Sequence, residues 1–132
     1  MRVVLAHGVF DILHAGHIRH LDQARAFGDK LIVSVVPDKF VRKTHPLYVP
    51  EADRIFLLKA LCMVDDAILC GGPGPEKLLK SLRPNIYVRG SEYVAQDRPE
   101  YALVKKLGIA VGFTRPIALH TSDLIKKIAR AS

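Results

Sequence analysis

The sequence predicts an α/β fold, a parallel sheet of five strands with helices on both faces. Short apolar runs alternate along the chain with segments of helical periodicity, the pattern of strand–helix–strand units. The strongest run, Leu31 to Val36, is β-branched in character and, Ser34 aside, apolar without alternation, as a strand covered on both faces should be. Glycine and proline fall between the runs, where the chain must turn.

The elements follow in order. Val3 to Ala6 is the first strand. Ala15 to Phe27 is a helix, with Ile18, Leu21, Ala24 and Arg25 at helical intervals and Gly28 closing it. Leu31 to Val36 is the second strand, and Pro37 to Pro50 a long polar loop carrying Arg42, Lys43 and His45. Glu51 to Met63 reads as a second helix, with Ile55, Leu58, Leu61 and Cys62 along one side. Ala67 to Cys70 is the third strand. The turn Gly71-Gly72-Pro73-Gly74-Pro75 follows, and Pro75 or Glu76 opens a helix that runs through Leu82. Ile86 to Val88 is the fourth strand, Pro99 to Leu107 a helix ended by Gly108, and Ile109 to Phe113 the fifth strand. Ser122 to Ala131 is the last helix, capped by Thr121 or Ser122. In such sheets ligands bind beyond the carboxyl ends of the strands, where strand order reverses. If the first and fourth strands are neighbours, the loop after Ala6 faces the Arg89-Gly90 loop across one crevice.

At 132 residues the chain is expected to form one domain, residues 1–132, with a real hydrophobic core. No apolar run approaches the roughly 20 residues of a membrane helix. The N-terminus reads directly as a strand, without a signal-peptide layout. Cys62 and Cys70 sit among apolar residues and read as reduced core residues of a cytoplasmic protein. The net charge of +7 calls for anionic partners. Lysine and arginine are scattered, with no zinc-finger spacing or aromatic RNA-binding signature, so phosphorylated small molecules are favoured over nucleic acid.

The segment His7-Gly8-Val9-Phe10-Asp11-Ile12-Leu13-His14-Ala15-Gly16-His17 joins the first strand to the first helix. A helix N-terminus has unpaired N–H groups and partial positive charge, and so favours anions. His14 and His17 can donate to phosphate oxygens there, and Gly16 permits close approach. Together they suggest a nucleoside triphosphate site. His14, His17 and His20 are spaced by three, but no carboxylate or cysteine joins them to complete a zinc site.

This segment resembles the GxFDxxHxGH signature of the HxGH nucleotidyltransferases, the cytidylyltransferase-like superfamily. Arg83-Pro84-Asn85-Ile86-Tyr87-Val88-Arg89-Gly90-Ser91-Glu92-Tyr93 resembles that group's base- and ribose-binding segment. His120-Thr121-Ser122-Asp123-Leu124-Ile125 resembles its final phosphate-binding helix start. The resemblance implies a Rossmann-like fold with first and fourth strands adjacent. It also implies transfer of CMP or AMP from an NTP to a phosphorylated sugar, polyol or similar alcohol, with pyrophosphate released. By resemblance His14, His17 and Lys43 are catalytic. Gly8, Val9, Phe10, Gly16, Arg89, Gly90, Glu92, Tyr93, Thr121 and Ser122 bind nucleotide, with Phe10 also a core residue. Asp11 and Arg54 are assigned to the substrate phosphate, although as a turn residue Asp11 is expected to orient its loop by accepting backbone N–H bonds. A magnesium ion with the NTP and a homodimer are implied as well. Arg42-Lys43 matches the family pattern only in part, and His120 and Asp123 depart from it. A nucleotide-binding regulatory domain without turnover is the alternative, followed by a nucleic-acid-binding domain. The choice between ATP and CTP, and the acceptor, are not legible.

Overall fold

The computed structural model describes residues 1–41, 46–91 and 98–115. The strands are β1 (Val3–Gly8), β2 (Lys30–Val35), β3 (Asp66–Leu69), β4 (Ile86–Gly90) and β5 (Ala110–Thr114), and all neighbouring pairs are parallel. Their order is β3-β2-β1-β4-β5. The chain therefore starts in the middle, builds to one edge, and crosses over to build the other. That crossover puts the topological switch point between β1 and β4, paired as Val4↔Ile86, Leu5↔Tyr87 and Ala6↔Val88.

The helices are α1 (Ala15–Arg25), α2 (Glu51–Lys59), α3 (Glu76–Leu82) and α4 (Pro99–Lys106). Successive strand residues point to opposite faces, so the sheet feeds two cores. Val4, Ala6, Val33 and Val88 pack with Leu21 and Ala24 of α1 and Leu58 of α2. Leu5, Ile32 and Tyr87 pack with Leu79 of α3 and Val104 of α4. Both faces are thus covered, and the apolar character of Leu31–Val36 is explained. The turn after α1 lies against the start of β1: a Cβ on Gly28 would fall 2.6 Å from the Arg2 carbonyl oxygen.

Several boundaries differ from the sequence reading. β1 continues to Gly8, and β4 continues to Gly90, with Arg89↔Phe113 and Gly90↔Thr114 in register. Arg89 and Gly90 are strand residues, not a loop, because β5 pairs with them to the end. α2 stops at Lys59 rather than Met63, which leaves Cys62 exposed instead of in the core. A short 3-10 turn, Asp38–Phe40, opens the loop after β2. The helix expected over 122–131 lies outside the described residues. No described helix is long and apolar enough to cross a membrane.

Candidate active site

β1 delivers the chain to the carboxyl edge of the sheet, and the loop 9–14 turns it into α1. His14 is the N-cap, with extended backbone, and its Nδ1 accepts the Gly16 N–H at 3.1 Å. His17 Nδ1 accepts the His14 N–H at 3.3 Å. The two imidazoles thus close a reciprocal capping box, a task usually given to Ser or Thr with Glu or Gln. A ring nitrogen that accepts an N–H carries no proton, so each neutral ring holds its proton on Nε2. The rings lie 4.0 Å apart, centroid to centroid, tilted by 34°. Two Nε2–H donors therefore stand at a helix N-terminus whose dipole favours anions. This arrangement suits phosphate oxygens.

The loop is pinned from the side of α2. Both oxygens of Asp11 accept the Tyr48 N–H at 3.0 and 3.1 Å, and Oδ1 accepts the Val49 N–H at 2.8 Å. The loop-orienting role expected of Asp11 is what its contacts describe. A carboxylate so engaged is an acceptor, which argues against its assignment to a substrate phosphate. Arg54 is also corrected. It is 1% exposed, and its guanidinium donates to Val9 O, Val49 O and Asp38 Oδ1 rather than facing a ligand. Phe10 is buried, as expected, with φ of 54°. Its ring stands edge-on to His17 at 5.6 Å. Gly8 makes room for that ring, since a Cβ there would meet Phe10 Cε2 at 2.9 Å. Val9 is partly exposed, and Gly16 is buried in the first turn of α1.

The opposite wall is β4. Arg89 is 5% exposed and its Nη1 donates to the His7 carbonyl at 2.8 Å, which ties the ends of β1 and β4 together. Gly90 is buried beside it. Behind them, Glu100 is buried at 2% exposure and accepts from Arg98 Nε at 2.9 Å and Tyr87 OH at 3.3 Å. Burial, more than the neighbouring Glu100, pushes the Tyr87 phenol well above its ordinary pKa, although Arg89 opposes the shift.

Two histidines that the sequence did not assign complete the framework. His7 Nδ1 lies 2.7 Å from Ser34 Oγ, and His20 Nδ1 lies 2.7 Å from Thr114 Oγ1. Burial first, and then the charges of Arg89 and Arg98, push the His7 pKa down to about 3. His20 thereby ties α1 to the end of β5, a tie repeated one turn on by Gln23 Oε1, which accepts the Arg115 N–H at 2.7 Å. A polar residue at the end of an apolar strand was the only sequence signal for His7.

Of the residues expected in the site, His14, His17, Gly16, Gly8, Val9, Phe10 and Asp11 come together at the β1–α1 junction, with Arg89 and Gly90 on the adjacent strand. Lys43, Glu92, Tyr93, Thr121 and Ser122 lie outside the described residues, as do His120 and Asp123. Among the described residues no group of three or more His, Cys, Asp and Glu side chains could hold a metal.

Residues 5–127 match the cytidylyltransferase-like family model. The bifunctional protein HldE of Streptomyces coelicolor is 44% identical over 110 residues, covering 80% of this chain and 24% of that one. HldE of Helicobacter pylori is 35% identical over 133 residues, or 98% of this chain and 28% of that one. The chain thus spans about a quarter of the length of these bifunctional relatives. D-beta-D-heptose 1-phosphate adenylyltransferase of Bordetella bronchiseptica is 39% identical over 132 residues, covering 96% of this chain and 81% of that one. Among solved structures, a lipopolysaccharide core biosynthesis protein from Thermoplasma volcanium superposes with a TM-score of 0.73 at 34% identity, covering 91% of this chain and 98% of that chain. With a family match over nearly its whole length and a near-full-length relative, the chain belongs to the cytidylyltransferase-like family of nucleotidyltransferase domains.

Proposed function

We propose that the domain is an adenylyltransferase that moves AMP from ATP to the phosphate of a sugar 1-phosphate and releases pyrophosphate. The observation that carries this is the reciprocal imidazole cap, which aligns two Nε2–H donors at a helix N-terminus on the switch point of the sheet. The choice of AMP and of a sugar phosphate is supported by the likeness to the heptose 1-phosphate adenylyltransferase.

In this reading an acceptor phosphate oxygen attacks the α-phosphorus in line. The bond from the α-phosphorus to the bridging oxygen breaks, and pyrophosphate leaves with that electron pair. The attacking oxygen is already anionic, so no protein base is required. What the protein supplies is alignment of two anions and donors for the charge of the transition state. His14 and His17 are those donors, and the N-terminal dipole of α1 adds to them. Lys43 screens the two phosphate groups, Thr121 and Ser122 hold the outer phosphates, and Glu92 and Tyr93 surround ribose and base. A magnesium ion bound with the triphosphate would supply charge neutralisation at its phosphates, and no cluster of described side chains is assigned to hold it.

We place the enzyme in the cytoplasm, as a homodimer. Phe56 and Leu57 on α2, and Leu69 on the edge strand β3, are 72%, 42% and 40% exposed, which supports burial between copies.

The test is pyrophosphate release from ATP and from CTP, each with magnesium and D-beta-D-heptose 1-phosphate. Release from ATP but not CTP is the expected result. Thermal denaturation with each triphosphate gives an independent readout, since a ligand at a hundred times its Kd adds about 2.7 kcal/mol. Stabilisation by ATP with no release from any sugar phosphate would leave a binding domain without turnover and sink the proposal.

A further inference from the structure

The arginine that the sequence placed at a substrate phosphate has a different task. Arg54 is in the second turn of α2, yet its guanidinium reaches three separate segments: Val9 O at 2.7 Å, Val49 O at 3.0 Å and Asp38 Oδ1 at 2.6 Å. Only a planar fork of donors serves acceptors in so many directions, and an ammonium on a flexible stem does not.

The Val9 carbonyl is the consequential partner. The next residue, Phe10, has φ of 54°, a left-handed conformation that bulky side chains avoid. Such a conformation persists only where the surroundings over-determine it. Here it is held from both sides. Arg54 fixes the carbonyl before Phe10, and the Asp11 carboxylate, bonded to the Tyr48 and Val49 N–H groups, fixes the residue after it. The Phe10 ring, so placed, stands edge-on to the imidazole of His17 at 5.6 Å and 61°. His17 in turn uses Nδ1 to close the cap of α1.

We propose that Arg54 is a positioning residue for His17. It holds the Val9 carbonyl, which keeps Phe10 left-handed, and the Phe10 ring then sets the imidazole with Nδ1 on the cap and the proton on Nε2. The inference rests on the reading above only for what that Nε2–H meets. The chain of contacts from Arg54 to the ring stands without it.

The test is the tautomer of His17 in the full chain, read by long-range 1H–15N correlation of the histidine side chains. At a pH of about 8.5, roughly two units above the ordinary imidazole pKa, the rings are neutral. In the wild type His17 should show one tautomer, protonated at Nε2. In Arg54→Lys the His17 pattern should move to a mixture of tautomers, while His7 and His20, each held by a hydroxyl, keep theirs. Turnover should fall about 10- to 100-fold, the scale of a small misplacement of a catalytic group. Leu58→Ala, a core truncation on the same helix, is the control for general loosening, and its His17 pattern should match the wild type. An unchanged His17 pattern in Arg54→Lys, or an equal change in Leu58→Ala, would overturn the proposal. Should Arg54→Lys not fold, Asp11→Asn loosens the other side of Phe10 and decides by the same criterion. A wild type that transfers no nucleotide would end the functional reading alone, because the tautomer is read without substrate.

Discussion

Four histidines fall between residues 7 and 20, and they divide into two kinds. His7 and His20 are 8% and 6% exposed, and each faces a hydroxyl at 2.7 Å. His14 and His17 are half-buried, and each faces a backbone N–H. A hydroxyl can donate or accept, so it satisfies an imidazole in either tautomer. A backbone N–H only donates, so it forces the ring proton to the far nitrogen. The first pair are ties between elements. The second pair close the cap of α1, and their ring protons sit on Nε2. Residue type alone does not separate them; burial and the nature of the partner do.

The sharpest way to break this comparison is kinetic. His17→Ala should lower turnover by roughly a hundredfold or more, the usual effect of losing one transition-state donor, while costing stability only the cap bond it makes, about 1 kcal/mol. Near-wild-type turnover would remove the distinction between the two pairs. His20→Ala should do the reverse. It strands the buried Thr114 hydroxyl and should cost about 1–3 kcal/mol of stability, read by denaturant unfolding, with a smaller effect on turnover.

Acid titration sharpens the comparison further. The folded-state pKa of His7, about 3, lies below its value of 6.5 in an unfolded chain. As pH falls, the unfolded chain takes up the proton first. The His7 contribution is therefore intact above about 6.5 and is lost toward 3, at up to about 1.4 kcal/mol per pH unit. His7→Gln should flatten that part of the stability profile, and an unaltered slope would contradict the burial argument. The same rule extends to the cysteines, where the effect is smallest. Cys70 is buried, its thiol pushed up chiefly by that burial, with Sγ donating to Gly72 O. Cys62 is exposed. A thiol reagent should label Cys62 quickly and Cys70 only on unfolding.

Much of the fold was legible because its signals are local. Apolar runs marked all five strands, and Glu76–Leu82 was bounded correctly by Pro75 and the turn before it. The α1 start was legible from its histidines, which cap it. What failed depended on partners far away in sequence. Arg89 and Gly90 look like a loop because Arg and Gly are poor strand residues, but Phe113 and Thr114 pair with them. Met63 was assigned to α2 by periodicity, yet the chain turns after Lys59 to enter β3. Arg54 was given to a phosphate by resemblance, and nothing in its sequence neighbourhood reveals its partner Val9, 45 residues earlier. His7 and His20 were passed over for the same reason: Ser34 and Thr114 become their partners only when the sheet is assembled.

The place of β1 in the sheet has a consequence for how the domain is made. Of the five strands, the central one leaves the ribosome first. Its β2 edge is satisfied early, by residues 30–35. Its other edge waits for residues 86–88, and the first backbone N–H of β1 waits for the side chain of Asn85, 82 residues away. Until then the nascent chain carries an open, apolar strand edge, the kind of surface that recruits other chains. The helix that bears His14 and His17 can form while that edge is bare, but the crevice it faces has no second wall. Closing such a long loop is slow relative to local steps. Ligand binding should therefore appear late in folding, after most of the helical signal, and a chain truncated before residue 86 should have the histidines and no site.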